Sequence, residues 1–179
     1  MANPLEFEVS IYPAPVLRKP AHPVEAFDES LMETIEAMFT RMRESRGVGL
    51  AAPQVGLKQR ILVLNHTGEA DDDLALVNPE ILKVWGPKTV MEEGCLSFPG
   101  IYGEVSRPSC ARIKARTEAG EEFVAEYEGF QARVILHELD HLEGVLLIDR
   151  MSPADKLRNK AAFEDLIEDY KETLAKAAR

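Results

Sequence analysis

Two histidines four residues apart, His137 and His141, enclose Glu138 in the segment His-Glu-Leu-Asp-His. On a helix this spacing puts both imidazoles on one face about a turn apart, close enough to share one metal ion. Glu138 follows the first histidine directly. That offset keeps it from joining the ion easily, yet lets its carboxylate reach a water beside the ion and act as general base. The chemistry this combination supports is hydrolysis assisted by a divalent metal.

Two imidazoles do not complete such a site, which usually has three protein ligands and one open position. Cys95, in Glu93-Gly94-Cys95-Leu96-Ser97, is one candidate for the third, since Gly94 lets the backbone approach closely. Glu164, Asp165 and Glu168 are the rivals, and would make a His-His-carboxylate site of zinc-peptidase type. The run from Gly47 to Gly56 also stands out. It contains a formal Gly-x-Gly-x-x-Ala with Glu69 further on, but a helical pattern precedes it and Pro53 obstructs the helix a dinucleotide site needs. An extended, small-residue segment able to pair with a peptide backbone fits better, with the Gln54 amide beside the chemistry.

The elements that must position these residues follow from periodicity. Residues 130–142 carry an apolar pattern without Gly or Pro, which predicts a largely buried helix ended by Gly144. Residues 60–65, 74–77, 81–85, 101–105, 111–116 and 122–127 read as short strands, the last two joined in a hairpin through Glu118-Ala119-Gly120. A first helix starts at the cap Asp28 and runs to near Gly47, with Leu31, Ile35, Met38, Phe39 and Met42 at helical spacing. The proline-rich stretch before it should lie extended. Ser152-Pro153 opens a C-terminal helix over about 152–176, with an apolar stripe at Leu157, Ala161, Leu166, Tyr170 and Leu174. The fold class is α+β: short, mainly antiparallel sheets packed around a buried motif helix, with the N-terminal and C-terminal helices outside.

At 179 residues, with 45% hydrophobic and 29% charged, the chain suits one globular domain over 1–179. A net charge of −10 argues against nonspecific or direct nucleic-acid binding. No apolar run approaches the roughly 20 residues that span a bilayer, and the first residues carry no signal-peptide pattern, so no membrane association and a cytoplasmic location are expected. Two cysteines, Cys95 and Cys110, do not make a disulfide framework.

Taken in order, the segments 47–54 (GVGLAAPQ), 93–97 (EGCLS) and 137–141 (HELDH) resemble the three signature segments of the peptide deformylase family, and the opening 12–18 (YPAPVLR) fits too. The resemblance covers nearly the whole chain. It implies an α+β fold and removal of the formyl group from N-terminal formyl-methionine of new polypeptides, with release of formate. It further implies Cys95 as the third ligand beside His137 and His141, with Fe²⁺ as the native ion and Zn²⁺, Ni²⁺ or Co²⁺ also accommodated. Leu136 departs from the pattern, in which glutamine commonly precedes the first histidine. A leucine there offers no polar contact behind the ligands.

On this reading the ion would acidify a water, Glu138 would take its proton for attack on the formyl carbon, and the same carboxylate would return a proton to the leaving amine. The resemblance assigns stabilisation of the oxyanion to the Gln54 side chain and the Leu96 backbone N–H. Substrate backbone would add as a strand to residues 47–51, with Gly49 in close contact and Val48, Phe130 and Val134 lining a methionine pocket. Asp140 would pair with Arg107 to steady the motif helix. The C-terminal helix would be the part that meets the ribosome. Two other readings remain: a zinc peptidase, and a metal-stabilised peptide-binding module without turnover.

Overall fold

The computed structural model describes residues 6–177. Its centre is β2 (Ile61–Leu64), a four-residue strand of Ile-Leu-Val-Leu with every side chain buried. Successive strand side chains point to opposite faces, so an unbroken apolar run requires cover on both. Leu62 and Leu64 pack with Leu76, Ile113, Ile135, Leu136 and Leu139 on one side. Ile61 and Val63 pack with Leu31, Ile35, Met38 and Met42 on the other.

Those covers are the two long helices read from the sequence. Helix α1 (Glu29–Glu44) begins where the Asp28 carboxylate accepts the Leu31 amide at 3.1 Å, and it stops three residues before Gly47. Helix α2 (Gly129–Leu142) carries the histidine segment and buries most of its length, including His137, Glu138 and His141. Gly144, at φ 72, closes it in the left-handed conformation that glycine adopts at little cost.

The strands form one sheet rather than several short ones. Strand β1 (Gly49–Ala51) is at one edge, followed in order by β2, β3 (Leu74–Gly94), β4 (Tyr102–Arg116) and β5 (Glu122–Glu128), all antiparallel. The segments expected separately at 74–77 and 81–85 are one 21-residue strand, and those at 101–105 and 111–116 are one of 15 residues. Shifts in register near Asn78-Pro79, Leu82 and Gly86-Pro87 allow the pairing to resume past residues that would otherwise end a strand. The expected hairpin between β4 and β5 is present, its turn closed by Gly120 N–H donating to Thr117 O.

The C-terminal region differs from the single helix expected. Ser152 caps as read, accepting from the Asp155 amide at 3.1 Å, but α4 (Pro153–Arg158) gives way at Asn159 to α5 (Lys160–Ala177). The expected apolar stripe is only in part the buried face: Leu157 and Leu174 are 74% and 53% exposed, whereas Leu166 packs against the apolar cluster that buries Phe163. Phe163 joins Leu17, Phe98, Ile101, Leu146, Leu147 and Met151 in a third apolar cluster, which also holds Tyr12 stacked on Phe98. Helix α3 (Leu147–Arg150) lies within this cluster. The proline-rich segment is extended apart from a turn of 3-10 helix at Pro15–Arg18, and Tyr12 N–H donating to Ser97 O ties it to the chain just after Cys95. No helix among the described residues is long and apolar enough to cross a membrane.

Candidate metal centre and active site

Helix α2 presents His137 and His141 side by side, with ring centroids 5.1 Å apart. The hairpin of β3 and β4 brings Cys95 to them, because β3 ends at Gly94. Cys95 Sγ lies 3.2 Å from His141 Nε2, and one ligand atom from each of Cys95, His137 and His141 falls within 4.8 Å of the other two. A first-row ion binds sulfur at about 2.3 Å and imidazole nitrogen at about 2.0–2.1 Å, so separations of this size suit a single shared ion. The charges fit as well. Burial works against a charged His137, yet its hydrogen bonds to Cys95 and Glu93 and the nearby Glu138 outweigh it and raise its pKa, so in the metal-free protein the ring carries a proton that a bound ion would displace. His141 is held neutral by burial and by the positive charges of His137 and Arg107, leaving it the unprotonated form a ligand must have.

Glu138 is buried, and its Oε2 has no partner among the described residues. Burial pushes its pKa up to about 7, only partly countered by His137 and Arg107, which suits a group that accepts and returns a proton near neutrality. It has room because Gly49 has no side chain: a Cβ there would sit 2.6 Å from Glu138 Oε1 and 2.8 Å from Val134 Cγ1. Gln54, 1% exposed, is oriented by the Ala51 amide, which donates to its Oε1 at 2.9 Å. Its amide Nε2 consequently faces Ser97 Oγ at 3.3 Å and Cys95 Sγ at 3.5 Å. The donor is thus aimed toward the metal-ligand group.

A cleft of about 700 Å³ opens onto these groups. Val48, Gly49, Phe130 and Val134 all line it, together with Gln54, Cys95, Leu96, His137 and Glu138. Val48 and Phe130 are half exposed at its mouth while Val134 is buried. Strand β1 pairs only with β2 among the described strands, and on its other edge the Ala51 N–H is taken by the Gln54 side chain while no strand lies alongside.

The family profile of polypeptide deformylases matches residues 7–157. The chain belongs to the polypeptide deformylase family. It is 46% identical over 160 residues to the peptide deformylase of Thermotoga maritima, covering 89% of this chain and 96% of that one. The crystal structure of the Plasmodium falciparum peptide deformylase superposes with a TM-score of 0.90 at 38% identity, over 93% of this chain and 98% of that one. That of Legionella pneumophila does so at 0.84 and 39%, over 96% and 98%.

The geometry brings Cys95, and not the rival carboxylates, beside the two histidines. Glu164, Asp165 and Glu168 are exposed on α5, Glu164 near Lys160 and Glu168 near Lys171. Among the described residues the one group able to hold an ion is Cys95, His137 and His141. Leu136, where this deformylase departs from the common glutamine, is 6% exposed and belongs to the apolar cluster between α2 and the sheet.

Asp140 and Arg107 do pair, with Nη1 donating to Oδ2 at 2.8 Å, and Arg150 also donates to Asp140. What the sequence reading passed over is Glu93. His137 Nδ1 lies 2.9 Å from Glu93 Oε2, and burial of Glu93 is outweighed by the bonds from His137 and Arg107, which hold its pKa at about 2. A carboxylate accepting from Nδ1 fixes the tautomer and turns Nε2 outward as the metal-facing nitrogen. Arg133, also passed over, lies behind Glu93. Signals for both were present: Glu93 is two residues from Cys95 at a strand end, and Arg133 is four before His137 on the same helix face.

Proposed function

We propose that this deformylase removes the formyl group from the N-terminal formyl-methionine of newly made polypeptides and releases formate. The observation that carries the reading is the placement of a buried, unpartnered Glu138 carboxylate beside the Cys95, His137 and His141 group at the floor of a cleft. A divalent ion held by those three residues supplies Lewis acidity. Fe²⁺ is the proposed native ion, with Zn²⁺, Ni²⁺ or Co²⁺ able to replace it, since a thiolate and two imidazoles suit several first-row metals.

The chain's own residues do the rest. Glu138 takes the proton of the attacking water and returns it to the amine nitrogen as the C–N bond breaks. The Gln54 Nε2 and the Leu96 backbone N–H stabilise the negative charge that develops on the formyl oxygen, which is where preorganised donors act most strongly. The outer edge of β1 takes the substrate backbone as an added strand, and Val48, Phe130 and Val134 hold the methionine side chain. A formyl carbon carries only hydrogen, so a narrow floor walled by Gly49 and Glu138 admits it and excludes larger acyl groups.

Action in the cytoplasm on nascent chains is part of this proposal. Contact with the ribosome is assigned to α5, which is exposed along most of its length. Direct nucleic-acid specificity is not proposed, in keeping with the net charge of −10. The deciding measurement is formate release from a formyl-Met tripeptide by anaerobically purified, Fe²⁺-loaded protein, beside cleavage of the unformylated peptide. Absence of formate from folded, loaded protein would sink the reading, and cleavage of the unformylated peptide would favour a peptidase.

A further inference from the structure

Glu93 is buried and has two carboxylate oxygens, which together offer roughly four lone-pair sites. Four donors occupy them. Arg107 Nε and Arg133 Nη1 donate to Oε1 at 2.8 and 2.7 Å, while Arg107 Nη2 and His137 Nδ1 meet Oε2 at 3.0 and 2.9 Å. The carboxylate therefore has no spare acceptor with which to turn toward water or an ion. Arg133 is itself only 4% exposed and is fixed by further bonds: Nη1 donates to Val105 O at 3.0 Å, and Nη2 to Thr89 O and Oγ1 at 2.7 and 2.8 Å. Thr89 and Val105 lie on the hairpin of β3 and β4 that also delivers Cys95, and Arg133 lies one helical turn before His137 on α2.

We infer that Arg133 is a positioning residue for the metal centre: it completes the bonding of Glu93 and locks the hairpin carrying Cys95 to the helix carrying His137, so that both ligands keep their orientation. This rests on the reading of Cys95, His137 and His141 as the ion site. Arg133 borders the cleft, but in this role it acts through Glu93 and the hairpin. Without it, one lone pair of a buried carboxylate is left unpaired, and Glu93 must rotate or admit water, taking the His137 ring with it. A merely structural ion pair would instead stabilise the fold equally whether or not the metal is bound.

The test uses the full chain loaded with Co²⁺, whose visible absorption reports ligand geometry. Affinity is measured by competition with a chelator, and thermal melting is followed with and without the ion. Arg133→Met is expected to weaken Co²⁺ binding by about 10- to 100-fold, alter the Co²⁺ spectrum, and shrink the rise in Tm that metal produces. Arg133→Lys, which keeps the charge but not the fork, should recover part of the affinity and of the spectrum. The double variant Arg133→Met with Glu93→Gln should lose less Co²⁺ affinity than the two single losses combined, because part of what Arg133 does runs through the Glu93 carboxylate while its bonds to Thr89 and Val105 do not.

Equal losses of Tm in metal-free and loaded protein, with Co²⁺ affinity and spectrum unchanged, would overturn the inference, as would additive losses in the double variant. Should Arg133→Met not fold, Arg133→Lys decides: a wild-type spectrum and affinity would count against the role. Failure of the wild-type protein to bind Co²⁺ would overturn the ion site itself, a different result from normal binding that ignores Arg133.

Discussion

The Glu138 carboxylate fills the space that a side chain on Gly49 would need: a Cβ there would sit 2.6 Å from Glu138 Oε1. No Cβ sits that close to another heavy atom without something moving. Gly49 is on β1, held to β2 opposite Leu64, and Glu138 is buried on α2, so displacement falls on the carboxylate and on Val134. Gly49→Ala is therefore expected to lower kcat by about 100-fold, the cost of shifting a reacting group by roughly an ångström. Metal content should stay at one ion per chain. Steady-state deformylation beside metal analysis checks this, and a fall in metal content matching the fall in activity would contradict it.

The ligand assignment predicts opposite outcomes for two sets of variants. Cys95→Ala removes one of three donors that lie within 4.8 Å of one another and should leave the protein with less than a tenth of its Fe²⁺ or Zn²⁺ after dialysis against a weak chelator. Glu164→Ala and Glu168→Ala, exposed on α5, should retain the ion and full activity. Metal analysis of the three dialysed variants separates a Cys-His-His centre from a His-His-carboxylate one.

Much of this was legible in the chain because the chemistry and the burial are both local. His137, Glu138 and His141 declare themselves by helical spacing, and the apolar run of 130–142 matches a helix buried on most sides. The two-sided burial of β2 is equally plain in Ile-Leu-Val-Leu. The long strands were not, because Pro79, Gly86 and Pro87 read as breakers, while the partner strand β4 lets pairing resume beyond each bulge. Glu93 and Arg133 were hidden for a similar reason. A buried carboxylate is conspicuous only when its partners are known, and its partners come from β4 and α2. On α5 the apolar spacing held only for the part that docks: Leu166 packs with Phe163 on the third cluster, while Leu174 is 53% exposed.

Leu136 offers a prediction about stability rather than chemistry. It lies in the apolar cluster with Tyr127, Leu139 and Leu142, at 6% exposure. Leu136→Gln, which restores the residue more common in deformylases, places an amide among apolar neighbours and should cost about 1–3 kcal/mol. Metal affinity and kcat should be unchanged, because the position faces the core and not the cleft. Urea unfolding with a parallel activity assay tests both halves, and a gain in activity would show that the missing glutamine matters to the centre.

Glu138 makes the stability of the metal-free protein depend on pH, in a direction set by its burial. Its pKa rises from 4.5 to about 7 on folding because burial disfavours the charged carboxylate. Below pH 4.5 both the folded and the unfolded chain carry the proton, and the residue imposes no charge penalty. Between 4.5 and about 7 the unfolded chain releases its proton while the fold retains it, so stability falls as pH rises, and above about 7 the full penalty is present. At 1.36 kcal/mol per unit this amounts to about 3 kcal/mol. Glu138→Gln removes the ionisable group and should make the chelated protein more stable than wild type by about that amount at pH 8, with little difference at pH 4.5. Denaturant unfolding of both chelated proteins across this range provides the measurement. A gain equal at both ends of the range would mean that Gln packs better, and that the buried carboxylate was never held protonated. The same variant loaded with metal should show no formate release above background, since the group that moves the proton is gone.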